Sequence, residues 1–247
     1  MRKIFFTIIL LFSTIFIFGQ SDEYTSFYPG EIWKDNYGKH INAHGGGILS
    51  KDGIYYWFGE HKIAGPEGNK AQIGVHCYSS KDLYNWKDEG IVLSVDAFNP
   101  NSEITKGCVL ERPKVVYNEK TNKYVMWFHL ELKGQGYSAA RCGVATSDKV
   151  TRPFTYLKSY RPNKNIWPVN ASENDTTEVA GGDSTLSKIP GNEAAIAGYF
   201  LRRDFHAGQM ARDMTIFKDD DDKAYLIYAS EENYTMNISE LSDDYTS

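Results

Sequence analysis

Only three cysteines occur in 247 residues: Cys77, Cys108 and Cys142. Their spacing matches no metal-ligand pattern, and an odd number excludes a fully paired disulfide framework. They read as small buried fillers in strands, with one bridge in an exported protein as the other reading. Positive charge is scarce as well. The 27 Lys and Arg against 32 Asp and Glu leave a net charge of −5 and no basic stripe, so nucleic acid is not expected as a partner. No apolar stripe at helical spacing stands out, and no amphipathic helix is expected. Long apolar runs are lacking except at the start, where Ile4 to Phe18 follows Arg2 and Lys3 and precedes Gly19, Gln20 and Ser21. That pattern reads as a secretion signal over residues 1–20, an uncleaved anchor being the competing account. No cysteine follows the run to carry a lipid. A secreted or periplasmic protein, free of the membrane after cleavage, is the expectation, and fold reasoning starts at residue 21.

What the chain does have is aromatics, 14% of all residues. They favour strands, and they also stack on sugar rings. The stretch "IFKDDDDKAYLIYASEEN", Ile216 to Asn233, sets four aspartates between two such runs. A calcium loop of the EF-hand type fails, because its sixth and twelfth positions fall on Ala224 and Ser230 instead of Gly and Glu. The stretch looks like an epitope tag, yet a strand-like run follows it directly. A hairpin tip fits better, and the same arrangement recurs in "GGGILSKDGIYYWFGEHK" and "RPKVVYNEKTNKYVMWFHLE". Asp52–Gly53, Asn122–Lys123 and the aspartates at 219–222 take the same turn position.

Each hairpin leads into a further strand and a polar turn, at Ser80–Asp82, Ser147–Asp148 and Ser242–Asp244. Four strands per unit, repeated, indicate the blades of an all-β propeller. About three blades are expected in residues 21–247, the last without its outermost strand. Three blades leave open edges, and the chain alone is not expected to be a stable, active enzyme. Between the second and third units, residues 161–208 are rich in Asn, Ser, Thr and Gly and read as a long loop over one face.

Polar residues beside the inner strands would share one cavity. Asn42 and His44 precede three glycines, and Glu60 ends "YYWFGE". Glu111 and Arg112 open the second unit. Arg212 and Asp213 open the third, which ends on Glu231, Glu232 and Asn233. Carboxylates converging on an aromatic channel suit glycoside hydrolysis, in which one acid protonates the leaving oxygen and a base activates water. No cofactor is expected; a structural calcium ion stays open.

These three hairpin motifs resemble glycoside hydrolase family 43, and most closely its exo-β-1,3-galactanase-like branch. The resemblance implies a five-bladed propeller, an inverting mechanism, and a polysaccharide or oligosaccharide substrate of the β-galactan or arabinogalactan type. It implies that Glu60 and Glu111 hold hydroxyls of a terminal galactose, and that Tyr137, Asp213 and Asn233 are further sugar contacts. In this branch the blade-one aspartate used elsewhere as base is missing, and Ala43-His44-Gly45 stands in its place. His44 is therefore expected to bind sugar or backbone instead of acting as base. The family's general acid lies in a Glu-Ala/Gly-Pro motif that this chain lacks, and Glu231 is an available carboxylate, expected to touch sugar or support the structure. The catalytic candidates are thus Glu111, Asp213 and Glu231, and the substrate-binding ones Asn42, His44, Glu60, Tyr137, Arg212 and Asn233. Two alternatives stand beside a galactan hydrolase: a non-catalytic sugar-binding propeller, and another family 43 specificity such as arabinofuranosidase or xylosidase, which His44 disfavours.

Overall fold

The alternation of apolar and polar residues in the three hairpin motifs dictates strands, and a computed structural model shows them paired into three antiparallel sheets. It describes residues 23–151, 153–177 and 193–247, with side chains from 198 onward in the last span. The expected secretion signal lies outside the described residues. The first sheet has the order β1 (His44–Lys51), β2 (Ile54–Lys62), β3 (Gln72–Ser80), β4 (Lys87–Ser94). The second runs β5 (Val109–Asn118), β6 (Lys123–Glu131), β7 (Arg141–Ser147), β8 (Thr155–Tyr160). The third has three strands, β9 (Met214–Lys218), β10 (Ala224–Ser230) and β11 (Thr235–Glu240), with β10 in the middle. The architecture is all-β, as expected.

The turn chemistry decides the hairpins. Asp52 and Gly53 both have positive φ, 52° and 75°, which is the backbone a right-twisted two-residue hairpin requires. Asn122 and Asp222 adopt the same left-handed region at their tips. The aspartate run closes with Asp219 N–H donating to Lys223 O at 2.8 Å, so it is a hairpin tip.

Successive sheets pack face against face. Strand β6 shows why its sequence is continuously apolar: Met126, Phe128 and Leu130 enter one core with Phe58, Val75 and Leu110, while Val125 and Trp127 enter another with Met214, Leu226 and Tyr228. Alternate side chains point to opposite faces of a strand, and here both faces are covered. Cys77 and Cys108 fill the first core and Cys142 the second; all three are free, and burial pushes each thiol up. A third cluster of Trp33, Trp57, Trp86 and Tyr78 fastens the segment before β1 onto the first sheet.

Residues 161–208 depart from the expected loop. A single turn, α1 (Glu173–Thr176), is capped by Ser172, and a twelve-residue helix, α2 (Glu193–Asp204), follows. The helix escaped a periodicity reading because "EAAIAGYFLRRD" bunches its apolar residues and interrupts them with Gly198, so no clean stripe forms. Residues 178–192 lie outside the described residues. Asn163 pins the start of this excursion to the third sheet, its Nδ2 donating to Tyr228 OH and to Ser239 Oγ, both at 2.9 Å. Phe217, Met236 and Ile238 are exposed on the third sheet, with nothing among the described residues covering them. No helix among the described residues is long and apolar enough to cross a membrane.

Candidate functional site

The register brings the polar residues to one end of each inner hairpin. His44 pairs with Glu60 across β1 and β2, and Glu111 pairs with His129 across β5 and β6. In the third sheet Ala229 N–H donates to Asp213 O at 2.9 Å and Arg212 N–H to Ala229 O at 3.0 Å, which places both residues beside the same end of β10. The ladders of the first two sheets break at equivalent points, between His44 and Gly47 and between Glu111 and Lys114. Irregularities of this kind re-aim side chains. The residue after each break point is left-handed, Gly45 at φ 60° and Arg112 at φ 56°. For arginine that conformation costs roughly 1–2 kcal/mol, so its surroundings must hold it.

Glu60 holds it. Its carboxylate accepts from Arg112 N–H at 3.0 Å on Oε1 and from Lys62 Nζ at 2.7 Å on Oε2, with His44 Nδ1 3.3 Å away. Its side chain has no exposed surface. Glu60, expected from the resemblance to hold a sugar hydroxyl, is a buried brace under His44 and Lys62. Asn42 is also committed internally, donating from Nδ2 to Lys62 O at 2.8 Å and accepting Lys62 N–H at 3.3 Å. It sets the position of Lys62.

Glu111 is partly open. Tyr137 OH donates to its Oε1 at 2.9 Å, Lys62 Nζ stands 4.0 Å from Oε1, and His129 Nδ1 lies 3.3 Å from Oε2 without hydrogen-bond alignment. Burial pushes the Glu111 carboxyl up, but His129, Tyr137 and Lys62 outweigh it and hold the group below the usual carboxylate range. Asn69 Nδ2 donates to Tyr137 OH at 2.6 Å and Lys62 Nζ to Asn69 Oδ1 at 2.8 Å, so the β2–β3 connection reaches over to the second sheet.

Arg112 Nε donates to Asp213 Oδ1 at 2.9 Å, joining the second sheet to the third. Both line an open cleft of about 460 Å³ with Gly45, Gly46, Trp57 and Lys114. Lys114 is threaded through that junction, its Nζ donating to Gly45 O at 3.1 Å and Arg112 O at 3.3 Å; burial, with the charge of Arg112, brings its ammonium down to about 8. A smaller hollow of about 240 Å³, lined by the segment from Tyr24 to Trp33, contains none of these groups.

Arg212 grips the backbone of Tyr137, with Nη2 donating to its carbonyl at 3.0 Å, and also pairs with Glu232 at 3.0 Å. Glu232 in turn pairs with Arg203 of α2 at 3.1 Å. Glu231, Glu232 and Asn233 take φ values of 46°, 53° and 70°, three consecutive left-handed residues. This strained turn leaves Asn233 exposed and buries Glu231 completely. Burial raises the Glu231 carboxyl to about 7, but its partners are Thr235 and Asn237, and none of the groups around Glu111 or Asp213 touches it. Of the roles expected for it, sugar contact or support, its surroundings are those of a buried support.

Sequence reasoning passed over Lys62, Asn69, His129 and Glu131. The polar ends of "WFGEHK" and "WFHLE", at the close of two otherwise apolar strands, carried the signal for three of them. Asn69 sits in a connection with no periodicity to read. Among the described residues no group of three or more His, Cys, Asp or Glu is arranged to hold a metal ion.

No protein-family model matches the chain, and no curated protein matches it. Solved structures do. A GH43 β-1,3-galactosidase with galactodeoxynojirimycin is 49% identical with a TM-score of 0.80, over 88% of this chain and 63% of the other. An exo-β-1,3-galactanase from Clostridium thermocellum is 36% identical with a TM-score of 0.64, over 87% of this chain and 38% of the other. An exo-β-1,3-galactanase from Phanerochaete chrysosporium with galactose is 34% identical with a TM-score of 0.64, over 88% and 39%. The chain thus spans less than two thirds of the length of each. With the three hairpin motifs and their polar ends shared across the three sheets, the chain belongs to glycoside hydrolase family 43.

Proposed function

We propose that the cluster around Glu111 recognises a terminal β-galactosyl residue, and that the whole protein is a glycosidase releasing galactose from β-1,3-galactan. The observation that carries this is a partly exposed carboxylate held ionised by His129, Tyr137 and Lys62, beside the Arg112–Asp213 pair at one end of three sheets. Such a group accepts hydrogen bonds from sugar hydroxyls, and each charge-assisted bond contributes about 1.5–3 kcal/mol. Solved relatives hold galactose and, in two variants, β-1,3-galactotriose. The five-bladed propeller, exo action and inversion of configuration belong to this reading.

The catalytic roles divide accordingly. Glu111 and Asp213 position and stabilise charge, with His44, Tyr137, Arg212 and Asn233 as flanking contacts. None of them is the proton donor. Glu111 is held as an anion, and the carboxyl raised toward neutrality, Glu231, faces elsewhere. This separation also favours a second reading, galactoside binding without cleavage by the chain itself.

Calorimetric titration tests the proposal. Galactose and β-1,3-galactobiose should bind, glucose should bind at least about tenfold more weakly, and Glu111→Gln should abolish the preference, a change of one charged hydrogen bond. Equal affinity for galactose and glucose would remove the basis for a galactoside site. Release of galactose during the titration would decide against the second reading.

A further inference from the structure

Tyr137 makes the shorter contact with Glu111, at 2.9 Å, but a buried side chain also backs it, His129, with Nδ1 3.3 Å from Oε2. We propose that His129 is a positioning residue for the galactoside site: clamped between Glu111 and Glu131, it fixes the orientation of Glu111 and keeps it an acceptor. This rests on the galactoside reading above.

The clamp is built from buried parts. His129 is 2% exposed, and its Nε2 lies 2.8 Å from Glu131 Oε1, a carboxylate with no exposed surface. Glu131 is itself held, its Oε2 accepting Ala140 N–H at 2.9 Å, and Ala140 adopts φ 43° to deliver that bond. His129 stands directly opposite Glu111 in the β5–β6 register, and its Nδ1 faces Glu111 Oε2 at 3.3 Å. A neutral imidazole has one N–H and would turn a lone pair toward one of the two carboxylates; only the doubly protonated ring suits both.

The other groups facing the ring do not change this. From the neighbouring loop comes Tyr137, its ring centroid 6.0 Å away, and β7 places the buried thiol of Cys142 opposite His129. Lys62 of β2 approaches Glu111, not the imidazole, and Arg141 of β7 is engaged by Ser159 and Glu103. Burial pulls His129 down, yet Glu111 and Glu131 together raise it above the ordinary histidine value. The stabilisation from this imidazolium is therefore complete below about pH 6.5 and is lost as pH rises through the raised value.

The experiment combines nitrogen-15 NMR of the imidazole with galactose titration. In the wild-type protein both His129 nitrogens should remain protonated at pH 7.5. In Glu131→Gln the ring should be neutral at pH 7.5 and protonated at pH 5.5. Galactose affinity of that variant should fall about fivefold or more at pH 7.5, and return to within about twofold of wild type at pH 5.5. A neutral His129 in the wild-type protein at pH 7 would overturn the proposal, and so would equal loss of affinity at both pH values, which is the mark of mere structural damage. If galactose fails to bind wild type, the galactoside reading falls and the positioning role with it, while the NMR result still decides the clamp's charge.

Discussion

Gly46→Ala is expected to prevent the protein from folding, or to cost more than about 4 kcal/mol. A Cβ on residue 46 would lie 1.9 Å from Phe58 O, 2.8 Å from Phe58 C and 2.9 Å from Gly59 Cα. All three atoms are backbone, so no rotamer change relieves the overlap and the β1–β2 pairing must open at its break point. That break point carries His44 and Gly45 over Glu60, and the site goes with it. Gly53→Ala supplies the control. Its added carbon meets nothing within 4 Å, and the strain of φ 75° alone should cost about 1–2 kcal/mol. Soluble yield and thermal unfolding followed by circular dichroism separate the two. A Gly46→Ala protein melting within a few degrees of wild type would show that the strands approach less closely than described.

Glu60→Gln is expected to destabilise by about 3–5 kcal/mol, the usual cost of breaking a buried ion pair. Both oxygens of Glu60 face donors, Arg112 N–H on one side and Lys62 Nζ on the other. An amide must turn its NH2 toward one of them. With the NH2 toward Lys62, the ammonium would keep Asn69 but only Glu111, at 4.0 Å, as a carboxylate; with the NH2 toward Arg112, that residue would lose the bond that holds its left-handed backbone. For a protein of this size each kcal/mol shifts Tm by about 2–4 °C, so a fall on the order of 10 °C follows. Urea unfolding with an unchanged m-value would attribute it to stability alone. Glu119→Gln, at an exposed position, should move the midpoint hardly at all. A loss below about 1 kcal/mol for Glu60→Gln would return Glu60 to the sugar-facing role expected from sequence.

The strands and hairpin tips were legible because they depend on local chemistry. Asp52–Gly53 and the aspartates at 219–222 sit where two left-handed or polar turn residues are needed, between runs of period two. The equivalence of Glu60, Glu111 and Asp213 followed from their recurring place beside each hairpin. Depth did not follow. Alternation tells which face a side chain takes, but not whether another sheet covers that face, so the burial of Glu60, expected at the sugar, and of Glu231, expected at the sugar or as a support, was not legible. His129 and Glu131 were hidden by their setting at the end of a strand buried on both sides, where polar residues interrupt the apolar run only at its last positions. The tryptophan cluster of Trp33, Trp57 and Trp86 joins residues far apart in sequence, and no local pattern announces it. Helix α2 was lost to its own composition, rich in helix formers but without a stripe.

The central claim is that the Glu111 cluster, with Arg112 and Asp213, takes the terminal galactose of a β-1,3-galactan. A crystal structure of the protein with β-1,3-galactobiose tests it most directly. The account predicts that hydroxyls of the non-reducing galactose lie within hydrogen-bond distance, about 2.6–3.0 Å, of a Glu111 oxygen, with Glu60 and Glu231 still buried and untouched. A galactose seated elsewhere, or one hydrogen-bonded to Glu231 while Glu111 stays bare, would contradict it.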